Sequence, residues 1–251
     1  MDSTATRYLT VGLIAGVILN LPFYALLFDE YWPWAQSFPI VLLSNGLGVM
    51  ITFFHEIGHT LFAWFYGYPT IPLFDFAHGG GWAWAFAGRQ YVLIAILYAA
   101  IAYGIYILKD YRWLQILLGL AAVFHLATAY DEDMHQNIID FMGQGFVPVV
   151  ACFFLFRAIM DLAPRGGAER FLNAALGFAM LFQTMLDAYG LLHVKHHRLG
   201  YYNQKGQHAV GDFDKIAVRL IESFDLVVYG LMGWIGVCVV MMLLLCTIKK
   251  P

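Results

Sequence analysis

Charge is scarce in this chain. Of its 251 residues only 12% are Asp, Glu, Lys or Arg, and 61% are hydrophobic. A soluble domain normally carries about 25% charged residues, so this chain has too little polar surface to cover a water-soluble core. That excludes a soluble globule and points to an integral membrane protein surrounded by a lipid bilayer. A basic excess is also missing: the formal net charge is −3, which gives no electrostatic footprint for a nucleic-acid partner. Cysteine is rare, and Cys152, Cys238 and Cys246 all fall inside apolar runs with no C-x-x-C spacing. They read as packing residues, which excludes a disulfide framework or a thiolate metal site. The first apolar run has a weak charged flank, Arg7 against Asp2, and no A-x-A cleavage site follows it. It is therefore expected to be a transmembrane helix, not a signal peptide. No internal repeat is present, and a single transmembrane domain over residues 1–251 is expected.

Long apolar segments, by contrast, are plentiful. Runs long enough to cross ~30 Å of hydrocarbon lie at 8–28, 40–65, 90–108, 113–130, 146–162, 171–192 and 224–248. They predict an all-α polytopic bundle of six to seven transmembrane helices, the run at 146–162 being the weakest because it is short and contains Arg157. Helices are favoured because lipid cannot hydrogen-bond an open backbone, and no dyad alternation of a barrel is visible. Residues 66–89 hold too much Gly, Pro and aromatic residue for a helix and too little charge for an aqueous loop. A re-entrant or interfacial hairpin is expected there. Residues 193–215 form the largest polar segment and include His193, His196, His197 and His208, a solvated loop by composition. Lys and Arg divide evenly between the two sides of such a bundle, which leaves the orientation open.

One apolar run carries chemistry. In "TFFHEIGHTLFAW", residues 52–64, His55 and His59 stand four apart and share a helix face. Both imidazoles can reach one ion there, with Glu56 beside it to handle the proton of a water molecule. This is the H-E-x-x-H pattern of zinc hydrolases, with neutral histidines as ligands and a glutamate as general base. Polar groups at membrane depth cost about 2–3 kcal/mol each, so three within five residues call for a compensating ligand more strongly than a lone histidine would.

With Gly58 giving the form H-E-x-G-H inside an early transmembrane segment, "HEIGHTLFAWFYG" resembles the site-2 protease class of intramembrane zinc metalloproteases. The Gly- and Pro-containing stretch that follows is also similar to that class, and the resemblance covers about residues 40–90. It implies a zinc cofactor, a transmembrane protein as substrate, and a third zinc ligand that is an aspartate in a later transmembrane helix. The nearest match to that aspartate's context is "TMLDAYG", which makes Asp187 the expected ligand.

Depth supports Asp187 and keeps an alternative open. In the expected spans, His55, His125 and Asp187 lie at similar depths, within ~6 Å at 1.5 Å per residue. His125 is therefore the alternative third ligand. The acidic run "DEDMH" at 131–135 reads as a solvated helix end. Ser44, Asn45 and Thr60 are candidate linings for a water path. Gly79, Gly80 and Gly81 would let a substrate backbone approach closely, with residues 70–86 receiving it as an added strand. The compact form suits a bacterial inner-membrane protein. Two other classes compete: an inactive protease-like scaffold in a complex with partner membrane subunits, and a di-iron oxidase built around "HVKHH". The latter needs about eight histidines around its metals.

Overall fold

A computed structural model of the protein describes residues 3–75, 80–204 and 211–247. The fold is an all-α polytopic membrane architecture, interrupted by one β-hairpin. Among the described residues, six helices are long and apolar enough to span a bilayer: α1 (Ser3–Leu27, spanning from Thr4), α2 (Phe38–Phe65), α4 (Arg112–Ala129), α5 (Glu132–Ile159), α6 (Gly167–His193) and α9 (Phe224–Thr247). The helix α3 (Tyr91–Ile107) is apolar but only 17 residues long. Between α2 and α3, the strands β1 (Thr70–Asp75) and β2 (Gly80–Ala85) form the expected hairpin as an antiparallel pair, Thr70 opposite Ala85 and Asp75 opposite Gly80. Residues 76–79 of that hairpin lie outside the described residues.

Two expectations need correction. The span drawn at 146–162 begins earlier, at Glu132. The acidic run, expected as the solvated end of α4, is the start of α5. Asp131 caps it by accepting from the Met134 amide at 3.1 Å, and Glu132 and Asp133 occupy the first turn, where carboxylates suit the helix dipole. The polar segment 193–215 is also not a plain loop, since it contains α7 (Lys195–Gln204) and α8 (Asp212–Leu220). Its polar composition hid an amphipathic helix: Phe213, Ile216 and Ala217 on α8 are all buried.

Helix α5 lies at the centre of the bundle. Val147, Ala151 and Leu155 on it pack with Ala179 and Met180 of α6 and with Val228 and Leu231 of α9. Lipid tails provide no hydrophobic drive between helices, so close packing of small side chains takes its place. The interface of α1 with α6 follows the same rule. A Cβ on Gly12 would stand 2.4 Å from that of Ala174, and Asn20 Nδ2 donates to the carbonyls of Gly16 and Ala179, each at 2.9 Å.

The C-terminal end of α2 is held by side chains of its neighbours. His125 Nε2 donates to the Phe65 carbonyl at 3.0 Å, and Arg89 Nε donates to the Tyr66 carbonyl at 3.1 Å. Arg89 Nη2 also reaches the Ala129 carbonyl at 2.8 Å. Carbonyls at a helix end have no intrahelical partner, so these donors satisfy them and fix α2 against α4.

Candidate metal centre

Helix α2 presents His55, Glu56 and His59 toward α5, and glycines make the approach possible. A Cβ on Gly58 would stand 2.0 Å from the Met142 carbonyl oxygen, and one on Gly143 would stand 2.3 Å from His59 Nε2. The glycine of H-E-x-G-H is thus the contact that lets α5 close on the motif. His59 Nδ1 donates to the Ile139 carbonyl of α5 at 2.8 Å. This bond places a proton on Nδ1 and turns Nε2 into the site, as a backbone carbonyl on the far nitrogen does for metal-binding histidines.

The third group is Asp212, the first residue of α8. Its Oδ2 lies 3.3 Å from His55 Nε2 and 3.3 Å from His59 Nε2, and the two nitrogens are 3.0 Å apart. His59 Nε2 and a carboxylate are both acceptors, so at that separation a cation or a shared proton must lie between them. The donor set fits a tetrahedral metal site. Donors about 2.0–2.1 Å from one tetrahedral centre lie ~3.3–3.4 Å from each other, near the 3.0–3.3 Å observed. Two imidazoles and a carboxylate would leave the fourth position of a tetrahedral ion open. Asp212 is buried, which by itself opposes its ionisation. Hydrogen bonds and charge from His55 and His59 nevertheless hold its carboxyl well below the ordinary range.

Asp212 reaches this place because α8 docks through its apolar face, with Phe213, Ile216 and Ala217 buried beneath it. Tyr201 of α7 guides the entry: its hydroxyl accepts from the Phe213 amide at 3.3 Å, and a Cβ on Gly211 would stand 2.0 Å from that oxygen. Glu56 is 4% exposed, with Oε1 3.9 Å from His55 Nε2. Strand β2 covers it, so closely that a Cβ on Gly81 would stand 2.4 Å from Glu56 Cγ. Together these groups line a cavity of about 720 Å³, with Tyr68, Trp82, Ala83, Gln136, Asp140 and Lys215 in its wall.

The two aspartate and histidine candidates for the third ligand lie elsewhere. Asp187 Oδ1 accepts from His197 Nε2 at 2.8 Å and is not part of the cluster. His125 spends both ring nitrogens, Nε2 on the Phe65 carbonyl and Nδ1 on the Tyr98 hydroxyl at 3.0 Å. Among the three glycines, Gly81 is against the site, Gly80 is exposed with nothing near its Cβ position, and Gly79 lies outside the described residues. His208 lies outside them as well. His196 faces Asp29 at 3.6 Å, and the His193 ring lies tilted against Tyr189. Ser44 and Asn45 do line a cavity of about 900 Å³ with a mixed wall, in which Thr52, Gln144, Gln183, Thr184 and Asp187 are polar neighbours and Val41, Val49 and Ile51 are apolar. Its α2 residues share a face with His55 and His59 and stop one turn short of them. Thr60 is absent from both walls.

The signal for Asp212 was present in "GDFDKIAVRL". A Gly-Asp start followed by apolar residues one, four and five positions on is an amphipathic helix opening, though nothing local says where it docks. Among the described residues, His55, His59 and Asp212 form the one group of three or more metal-ligating side chains whose donors converge in this way. Comparison with protein-family models, with curated proteins and with solved structures finds no match.

Proposed function

We propose that this chain is an intramembrane zinc metalloprotease of the site-2 type, cleaving a peptide bond of a transmembrane protein substrate in a bacterial inner membrane. The observation that carries the reading is the convergence of His55, His59 and Asp212 beside a buried Glu56. Zinc, when bound by these three residues, supplies the Lewis acidity that makes water a nucleophile near neutral pH. Glu56, next to His55, takes the proton of the attacking water and returns it to the leaving amine. His59 keeps its lone pair aimed inward through the Ile139 carbonyl, and Asp212 contributes the negative charge that balances the cation.

The substrate enters beside β2. In the two-stranded sheet β2 pairs only with β1, and Gly81, Trp82, Ala83 and Ala85 face the cavity. An unwound segment of a substrate helix laid along this edge recovers the backbone hydrogen bonds that it loses on unwinding. The absent Cβ of Gly81 lets it come close to Glu56. The cavity lined by Ser44, Asn45, Thr52 and Gln144 offers water a polar approach along α2 at a depth where lipid offers none.

The test uses the purified full chain and Glu56→Gln. The substitution is expected to leave one zinc per chain and to abolish cleavage of a transmembrane substrate. Equal turnover in the variant sinks the reading. Protein that holds no zinc in independent preparations favours the alternative, a protease-like scaffold within a complex of membrane subunits.

A further inference from the structure

The carboxylate of Asp212 has two oxygens, and they face different ways. Oδ2 points at the two imidazole nitrogens, 3.3 Å from each, while Oδ1 accepts from Lys215 Nζ at 3.1 Å. We infer that Lys215 is a positioning residue of the metal centre, holding Asp212 Oδ1 so that the carboxylate ligates through Oδ2 alone and the fourth position stays open for water. The inference rests on the zinc reading of this site.

The chemistry behind it is a choice between two binding modes. A carboxylate next to a divalent cation can offer one oxygen or both, and taking up the second consumes the position that catalysis needs. A hydrogen bond from an ammonium to the second oxygen settles that choice, because ligation through Oδ1 would have to displace a charged donor. The ammonium is itself fixed. Lys215 Nζ lies 3.8 Å from Asp140 Oδ1 on α5, and Asp140 Oδ2 accepts from Arg219 Nη1 at 2.6 Å, a donor shared with Asn137 Oδ1 at 3.1 Å. Asp212, Lys215 and Arg219 are three and then four residues apart, so they share one face of α8. With Asp140 of α5 set between Lys215 and Arg219, two carboxylates and two cations alternate, and this chain of contacts ties the ligand-bearing helix to the helix that buttresses His59.

A plain surface pair would look different. The Lys215 side chain is 39% exposed but lines the metal cavity, and the carboxylate that it meets is 11% exposed. Solvent therefore does not compete freely for Oδ1, and among the described residues no other lysine or arginine lines that cavity.

The experiment reads coordination, not turnover. Wild type, Lys215→Met and Lys215→Arg are loaded with Co²⁺ in detergent, and helical content is checked by circular dichroism. Wild type is expected to give the intense visible bands of a four-coordinate site. Lys215→Met, with unchanged helicity, is expected to give weak bands of higher coordination and a zinc affinity about 10–100-fold lower. Lys215→Arg, which keeps a donor on Oδ1, is expected to restore the wild-type spectrum. A Lys215→Met protein whose bands match wild type overturns the inference and leaves the metal site standing. A changed spectrum in a chain whose Glu56→Gln variant still cleaves supports the positioning role and removes only the proteolytic reading. Should Lys215→Met fail to fold, Lys215→Arg with wild-type bands alongside Lys215→Gln with weakened bands supports it, and the absence of that contrast overturns it.

Discussion

Two clusters of histidine lie along the last three turns of α2 and just past its end, and they are built on opposite principles. Around Tyr66, every described bond joins a donor to an acceptor. The Tyr66 ring stacks between His125 and His135, with centroids 4.7 and 5.3 Å apart. Tyr98 and the Phe65 carbonyl serve His125, Tyr68 serves His135, and Thr128 serves the Tyr66 hydroxyl. Around His59, acceptors face each other: an imidazole lone pair and a carboxylate at 3.3 Å, with a second imidazole at 3.0 Å. The first cluster leaves one buried ring nitrogen, His135 Nδ1, without a partner but sets no acceptor against another, whereas the second needs a cation or a proton in its middle. Burial is similar in both, His59 at 7% and His125 at 8% exposed. Depth and burial therefore do not separate a ligand from a structural histidine. The direction of the lone pairs does.

That contrast can be broken or sharpened by mutation, and the largest effect should come from the ligands. His59→Ala or Asp212→Ala is expected to reduce zinc from stoichiometric to undetectable, measured by metal analysis of the purified protein, while His125→Ala retains it. Gly143→Ala should come close to the same loss without touching a donor, because the new methyl would stand 2.3 Å from His59 Nε2; full zinc content in that variant would contradict the packing described. Gly81→Val should keep zinc and stop cleavage, since its side chain would occupy the space of Glu56 Cγ. His125→Ala should instead appear as stability, lowering it by about 1–3 kcal/mol as the Phe65 carbonyl loses its donor, read from unfolding in detergent. Smallest is Asp187→Asn. Its pair with His197 is partly exposed, with side chains 31% and 22% accessible, so less than about 1 kcal/mol is expected, with zinc unchanged.

The difference between the clusters also explains which parts of the molecule were legible in advance. The spans followed from composition, and five of the seven expected runs match long membrane helices within a few residues at each end. The short α3 satisfied the apolar pattern but not the length. The start of α5 was missed because "DEDMH" looks polar, although acidic residues at a helix N-terminus are favourable there. His55, Glu56 and His59 were legible because helical periodicity alone places them on one face. Asp187 was chosen on a partial motif match and on depth, which compares residues along the membrane normal and says nothing about their lateral distance. His197 takes its carboxylate instead. Asp212 was overlooked within a segment taken for a solvated loop.

By itself, then, the sequence determined a lipid-embedded helical protein, a hairpin after the second helix, and a two-histidine, one-glutamate face. Each of these is a local property: hydrophobic run length, turn-forming residues, or a spacing of four on a helix. Only the tertiary structure decided that Asp212 completes the cluster from 153 residues away, that Lys215 holds its other oxygen, and that Gly81 and Gly143 admit strand and helix against the motif. The physical reason is that these features depend on where α8 and β2 dock. Docking is set by the apolar faces and missing Cβ atoms of several elements at once, a quantity no single stretch of residues contains.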